Sequence, residues 1–388
     1  MSSLFRFFPP VILLSVVCLT QFVLARWVFG AVRAPRAARA AGYGAAALIC
    51  AWILFSAFAA MSGTSALGPS TGTLRWVHAL AATWAVTSLV LLPLAWLARR
   101  LPGRRPGAAV ADPGRRIFLR SAQTALCALP FAAAGFGLVA RNRFVVREVD
   151  LAVSGLARDL DGLRIVQLTD IHLSPFLGEE ELERAVAMAN DTRANLAVVT
   201  GDLITTRGDP LDAALAILSR LRADAGVLGC LGNHEIYAGA EAYTTREGRR
   251  RGIRFLRGEG CPLRFGSAAL NVVGVDYQRM SQPYLRGVEK LAADGACNVL
   301  LSHNPDVFPV AAAKGFHLTL SGHTHGGQVT VEILDRQLTL ARFLTPYVKG
   351  LYRQGASSLY VSRGIGTVAI PARVGALPEI TLIRLCAT

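Results

Sequence analysis

The stretch from Leu320 to Gln328 reads LSGHTHGGQ. It spends two histidines, His323 and His325, in a chain that has only 7. Rings at i and i+2 share one side only on an extended or turning backbone; on a helix they would diverge. The preceding residues, FHLTL, alternate apolar and polar side chains, so a strand that ends in a tight loop is the natural reading. Such a loop is either a ligand platform or an exposed turn that happens to carry histidine. The stretch alone does not decide between them.

The same arrangement recurs upstream. LRIVQLTDIH ends an apolar run with Asp170 and His172, and LAVVTGD ends the next with Asp202. GVLGCLGNHE delivers Asn233 and His234, and CNVLLSHNP delivers His303. Polar residues thus collect just past the apolar residues of successive strand candidates. In an open α/β sheet, the carboxyl ends of strands are where ligands bind. The donor set mixes oxygen and imidazole nitrogen without thiolate, which suits Zn, Fe or Mn. Seven candidate ligands exceed the need of one tetrahedral ion. They suit two ions about 3.5–4 Å apart that share a bridging carboxylate, an arrangement used for phosphoester hydrolysis.

The chain divides by composition into residues 1–140 and 141–388. It has 388 residues, 52% of them hydrophobic, with a mean hydropathy of +0.40, high enough to point to membrane segments. Four apolar stretches, approximately 9–31, 41–62, 74–98 and 121–140, read as transmembrane helices across a core about 30 Å thick. Residues 1–140 hold 13 arginines and a single acid, Asp112, whereas 141–388 carries an excess of only +3. The overall +15 therefore flanks apolar runs instead of coating the second half, which disfavours nucleic acid as a partner.

Loop 99–120 carries seven arginines and loop 63–73 none. The positive-inside rule then sets a multi-pass protein of the cell membrane, its catalytic half extracytoplasmic and the bilayer its partner. Arg115 to Arg120, RRIFLR, resembles the twin-arginine export signal; the alternative is a basic cytoplasmic loop. The cysteines show no CxxC spacing and read as small buried residues.

In 141–388 the strand candidates are 163–169, 196–200, 226–231, 269–275, 297–302, 316–320, 358–362 and 380–385. Helical candidates 179–190, 210–222, 239–251 and 284–293 alternate with the earlier ones. This is an α/β pattern.

The ordered set DIH, GD, GNHE, SHNP and GHTHGG resembles the calcineurin-like metallophosphoesterase superfamily over about residues 144–386. The segment YVKGLYRQG…LYVSRGIGT…PEITLIRL is similar to its membrane-associated bacterial branch, some members of which are linked to UDP-2,3-diacylglucosamine cleavage. The resemblance implies a four-layer αββα sandwich after the transmembrane helices. It implies a first metal on Asp170, His172 and His325, a second on Asn233, His303 and His323, and Asp202 as the bridge. Two divalent ions, Mn, Fe or Zn, would bind there. The implied activity is hydrolysis of a phosphoester or pyrophosphate bond by a metal-bridging hydroxide, with a lipid-linked or envelope substrate. His234 would protonate the leaving group or stabilise the transition state.

Glu235 reads as a local structural acid, and His317 and His78 as packing residues. Arg249, Arg250, Arg251, Arg254 and Arg257 form either a solvated face or an anion contact. A lipid A-type pyrophosphatase, a nuclease and a non-catalytic membrane sensor are the competing functions.

Overall fold

The computed structural model describes residues 15–27, 35–61, 72–100, 113–278, 284–333 and 336–388. Two compact units emerge, Met1–Gly137 with Ala369–Pro371, and Leu138–Val368 with Ala372–Thr388.

The first unit is helical: α1 (15–27), α2 (Arg36–Met61), α3 (Gly72–Arg100) and most of α4 (Pro113–Ala140). Among the described residues, no helix is long and apolar enough to cross a membrane. This corrects the expectation of transmembrane helices over 9–31, 41–62, 74–98 and 121–140. Of the first expected span, only residues 15–27 lie among the described residues. α2 opens on Arg36 and Arg39. α3 carries Arg75, Pro93, Arg99 and Arg100, and α4 carries Arg115, Arg116, Arg120 and Pro130. Buried Gln21 and Ser88 also hydrogen-bond each other at 2.8 Å, a polar contact within this unit. Residues 9–14, 28–31 and 62 of the expected spans lie outside the described residues, as does most of loop 99–120.

The second unit contains β1 (Val145–Val153), β2 (Arg164–Leu168), α5 (Glu179–Asp191), β3 (Leu196–Thr200), α6 (Leu211–Leu218) and β4 (Val227–Cys230). Then come α7 (Asn233–Ala238), α8 (Glu241–Arg250), β5 (Ile253–Phe255), β6 (Glu259–Phe265), β7 (Ala268–Gly274) and β8 (Cys297–Leu301). The chain ends with α9 (Phe308–Ala313), β9 (Leu318–Ser321), β10 (Val331–Ile333), β11 (Arg336–Leu338), β12 (Gly350–Gln354), β13 (Ser357–Val361) and β14 (Glu379–Ala387).

These strands form two mixed six-stranded sheets, ordered β1-β14-β2-β3-β4-β5 and β12-β13-β9-β8-β7-β6, and a β10-β11 hairpin. Side-chain alternation explains their stacking. In β3, Leu196 and Val198 face the second sheet, and Ala197 and Val199 face α5 and α6. In β8, Val299 and Leu301 meet the first sheet, and Leu300 turns outward to Val307, Ala311 and Phe316. Helix, sheet, sheet and helix therefore form four layers, with an apolar core between the sheets. The first sheet is closed by the chain's end: β14 inserts between β1, parallel, and β2, antiparallel.

The expected helix over 284–293 is reduced to a 3-10 turn at Val288–Leu291. Gly287 just before it adopts φ 74°, outside the helical region.

Candidate metal centre

β2, β3, β4, β8 and β9 all end on the same side of the sandwich, and each is followed at once by candidate ligands. The loops there are tight. Asp170, His172, Asp202, His323 and His325 all take positive φ, between 49° and 75°. L-residues avoid this region, at a cost of order 1–3 kcal/mol each. The strain is concentrated where side chains must converge. Glycines permit the approach: a Cβ on Gly232 would stand 2.1 Å from Asp202 Oδ1, and one on Gly322 would stand 2.2 Å from Asp170 Oδ2.

The result is one buried cluster. Asp170, His172 and His303 are fully buried, and Asp202, Asn233 and His325 nearly so. Asp202 Oδ2 lies 3.0 Å from His303 Nε2 and 3.5 Å from His172 Nε2. Asp170 Oδ1 lies 3.4 Å from His325 Nε2 and 4.0 Å from His303 Nε2. The His323 ring centroid is 5.1 Å from that of His303, and the His323 amide donates to the Asp170 carboxylate at 2.9 Å. His234 lies on the same cluster, its ring 4.8 Å from that of His172.

Three metal-compatible groups result: Asp170 with His172 and His325, Asp202 with His303 and His323, and His172 with Asp202 and His234. The sequence-derived site residues are thus brought together, Asn233 through its place at the start of α7 beside His234. The third group was not anticipated, because it includes His234 among possible ligands.

Backbone carbonyls orient the imidazoles. His172 Nδ1 donates to Ile204 O at 3.2 Å, His303 Nδ1 to Thr200 O at 2.7 Å, and His234 Nδ1 to Thr205 O at 2.5 Å. A carbonyl only accepts, so each Nδ1 carries a proton in these contacts and Nε2 is directed to the cluster. Glu235 acts on the backbone: its buried carboxylate accepts from the amides of Asp202 at 3.0 Å, Leu203 at 2.7 Å and Gly232 at 2.8 Å. It joins the loop after β3 to the loop after β4. This gives the structural acid read from the sequence a specific task.

Burial and mutual charge perturb the group. Burial raises Asp170 to about 6, against the opposing pull of His303. Burial also pushes Asp202 up, but His303, His172 and His234 outweigh it and hold the carboxyl well below its usual range. His172 and His323 are lowered by burial to about 3 and about 4. Burial works against protonation of His303 too, yet Asp202 and Asp170 raise it to about 10.

The cluster fits divalent metal. His172 Nε2, His303 Nε2 and Asn233 Oδ1 are buried atoms with no hydrogen-bond partner. His303 Nε2 is near Asp202 but not aligned to donate to it. Orphaned buried polar atoms are costly, on the order of 1–3 kcal/mol each, and these three lie within the candidate ligand set. A cation satisfies them together.

Tertiary structure adds residues with no local signal. The Tyr277 ring lies 5.3 Å from that of His323, and the Tyr237 ring 5.6 Å from that of His234. Burial raises the Tyr277 phenol to about 12, so it stays protonated. The fully buried Arg373 contacts the His325 turn. Of the five arginines of 249–257, Arg257 pairs with Asp276 at 2.8 Å and Arg254 with Glu259 at 3.0 Å.

A family model described as calcineurin-like phosphoesterase matches residues 163–327. An uncharacterized metallophosphoesterase, YkuE of Bacillus subtilis, is 29% identical over 281 residues, covering 71% of this chain and 98% of that protein. An uncharacterized metallophosphoesterase of Campylobacter jejuni, Cj0846, is 31% identical over 62% of this chain and 63% of its own length. A Danio rerio transmembrane protein with metallophosphoesterase domain is 31% identical over 62% of this chain and 57% of its own length. The chain therefore spans less than two thirds of the latter two.

Proposed function

We propose, for a chain that belongs to the calcineurin-like metallophosphoesterase superfamily and is a metal-dependent phosphoric ester hydrolase, that its centre takes two divalent ions, Mn, Fe or Zn, and acts on a phosphoester with an organic leaving group. The three orphaned donor atoms of His172, Asn233 and His303 carry this reading. They belong to two different ligand groups, and one ion serving all of them would leave His323 or His325 without a task. Asp170, His172 and His325 would hold the first ion, and Asn233, His303 and His323 the second. Asp202 lies within 3.5 Å of both His172 and His303, which suits a shared carboxylate. When bound, such a pair supplies a water acidic enough to act as hydroxide near neutral pH and neutralises charge on the phosphoryl group.

The remaining work falls to the chain. His234, half-buried at the edge of the cluster, has Nδ1 engaged by Thr205 O. Its Nε2 is left to hold a proton for the leaving oxygen. Tyr237, 65% exposed beside His234, offers an aromatic face to the organic part of the substrate. The small charge excess of residues 141–388 disfavours a nuclease.

A second reading concerns His234 alone. Its grouping with His172 and Asp202 supports a ligand role in place of an acid role.

The test is hydrolysis of p-nitrophenyl phosphate and bis(p-nitrophenyl) phosphate by the full chain, before and after chelation and after adding back Mn²⁺. Activity that vanishes with chelator and returns with metal supports the proposal. A metal-replete protein inert toward both substrates overturns it.

A further inference from the structure

Arg373 is fully buried, yet among the described residues no carboxylate pairs with it. Its guanidinium is held by main-chain carbonyls from separate stretches of chain. Nη1 donates to His325 O at 2.8 Å, Arg363 O at 2.8 Å and Ala376 O at 3.3 Å. Nε donates to Gly366 O at 3.1 Å, and Nη2 to Gly364 O at 3.2 Å and again to Gly366 O. Burying a cation without a paired anion costs several kcal/mol unless its donors are satisfied, and here they are.

The segments it joins meet at the metal cluster. The 362–366 loop lies against the Asp170 loop: the amides of Ile365 and Gly366 donate to Thr169 O and Asp170 O at 3.1 and 2.7 Å. A Cβ on Gly364 would stand 2.4 Å from Asp170 Cβ, and one on Gly366 would stand 2.1 Å from Ile171 O. His325, whose carbonyl meets the same guanidinium, is at φ 52°. Nη2 also flanks its ring, 3.4 Å from Nδ1, too long for a strong hydrogen bond. The firm anchor is the His325 carbonyl.

We propose that Arg373 is a positioning residue for the metal centre: its guanidinium fastens the strained His325 turn to the 363–366 loop and so holds the His325 imidazole against Asp170. The inference rests on the two-ion reading above. Arg373 lies beyond residues 163–327, so part of the geometry of that centre is imposed from the C-terminal segment. Lysine, with one ammonium, cannot replace a planar fork that spans several carbonyls.

The experiment uses the full chain and its Arg373→Ala and Arg373→Lys variants. Mn²⁺ binding is followed by calorimetry and by metal content after dialysis, and thermal unfolding is recorded without metal. One of two equivalents should weaken by at least about tenfold in Arg373→Ala, as outer-shell losses do, with the other retained. Arg373→Lys should weaken the same equivalent, and millimolar guanidinium should restore it in the alanine variant. Two equivalents of wild-type affinity in either folded variant overturn the proposal, as does equal weakening of both. If Arg373→Ala does not fold, Arg373→Lys carries the test. A wild-type chain that binds no second ion defeats the two-ion reading instead, a separate outcome.

Discussion

His303 Nε2 lies 3.0 Å from Asp202 Oδ2, and its Nδ1 donates to Thr200 O at 2.7 Å. The imidazole is thus held between a carboxylate and a carbonyl, both of which favour its protonated form. In the absence of metal, it is raised from 6.5 to about 10. The pair's contribution to stability of the metal-free protein is present below the ordinary histidine value. It is lost as pH rises through about 10.

A protonated imidazole cannot ligate. Metal uptake at neutral pH should therefore expel the His303 proton. Apparent affinity should rise by about tenfold per pH unit up to near pH 10, one proton leaving per ion bound there. Calorimetry in buffers of differing ionisation enthalpy counts the protons. No proton release at pH 7 would contradict the raised His303.

Asp202→Asn removes the charge shared by His172 and His303. Activity should fall further than with any change at a non-shared ligand, and elemental analysis should find well below two ions per chain. Two full equivalents in the variant would mean Asp202 is not the bridge.

Glu235→Gln puts an amide where three backbone N–H groups converge. One amide oxygen cannot replace a carboxylate there, and its NH₂ would face a donor. Stability should drop by about 1–3 kcal/mol, and metal affinity should fall with it because the Asp202 loop loosens. Denaturant unfolding with and without Mn²⁺ checks both. An unchanged midpoint would show that the loops hold without this acid.

His234→Ala separates the two readings of that residue. As an acid it should keep both ions and lose kcat by on the order of 10²-fold or more. The loss should shrink for nitrophenolate leaving groups, which need little protonation. By contrast, His323→Ala or His325→Ala should lose an ion and activity together. Metal stripped from His234→Ala would make it a ligand.

The cluster of candidate ligands was legible because each piece is local: an apolar run, then Asp, Asn or His at its end. The strand candidates drawn from apolar runs are β2, β3, β4, β7, β8, β9, β13 and β14, all interior to the sheets. Within the two six-stranded sheets, the four strands they omit, β1, β5, β6 and β12, are the four edges. An edge strand is covered on fewer sides and needs no continuous apolar run. β1 reads VVREVDLAV, and β6 carries Pro262, which only an edge tolerates well.

Composition also misled. Hydropathy summed over alanine-rich segments suggested spans, although among the described residues no helix is long and apolar enough to cross a membrane. The ordered residue types at strand ends were enough to point to metal-dependent phosphoester chemistry, because a candidate ligand's identity is written in one position. How the ligands are held was decided only by folding. The Thr200 and Ile204 carbonyls that set tautomers have no side-chain signature, and Arg373 reaches His325 across 48 residues of chain. Such contacts depend on where two distant backbones pass each other, and no pattern along one of them encodes that.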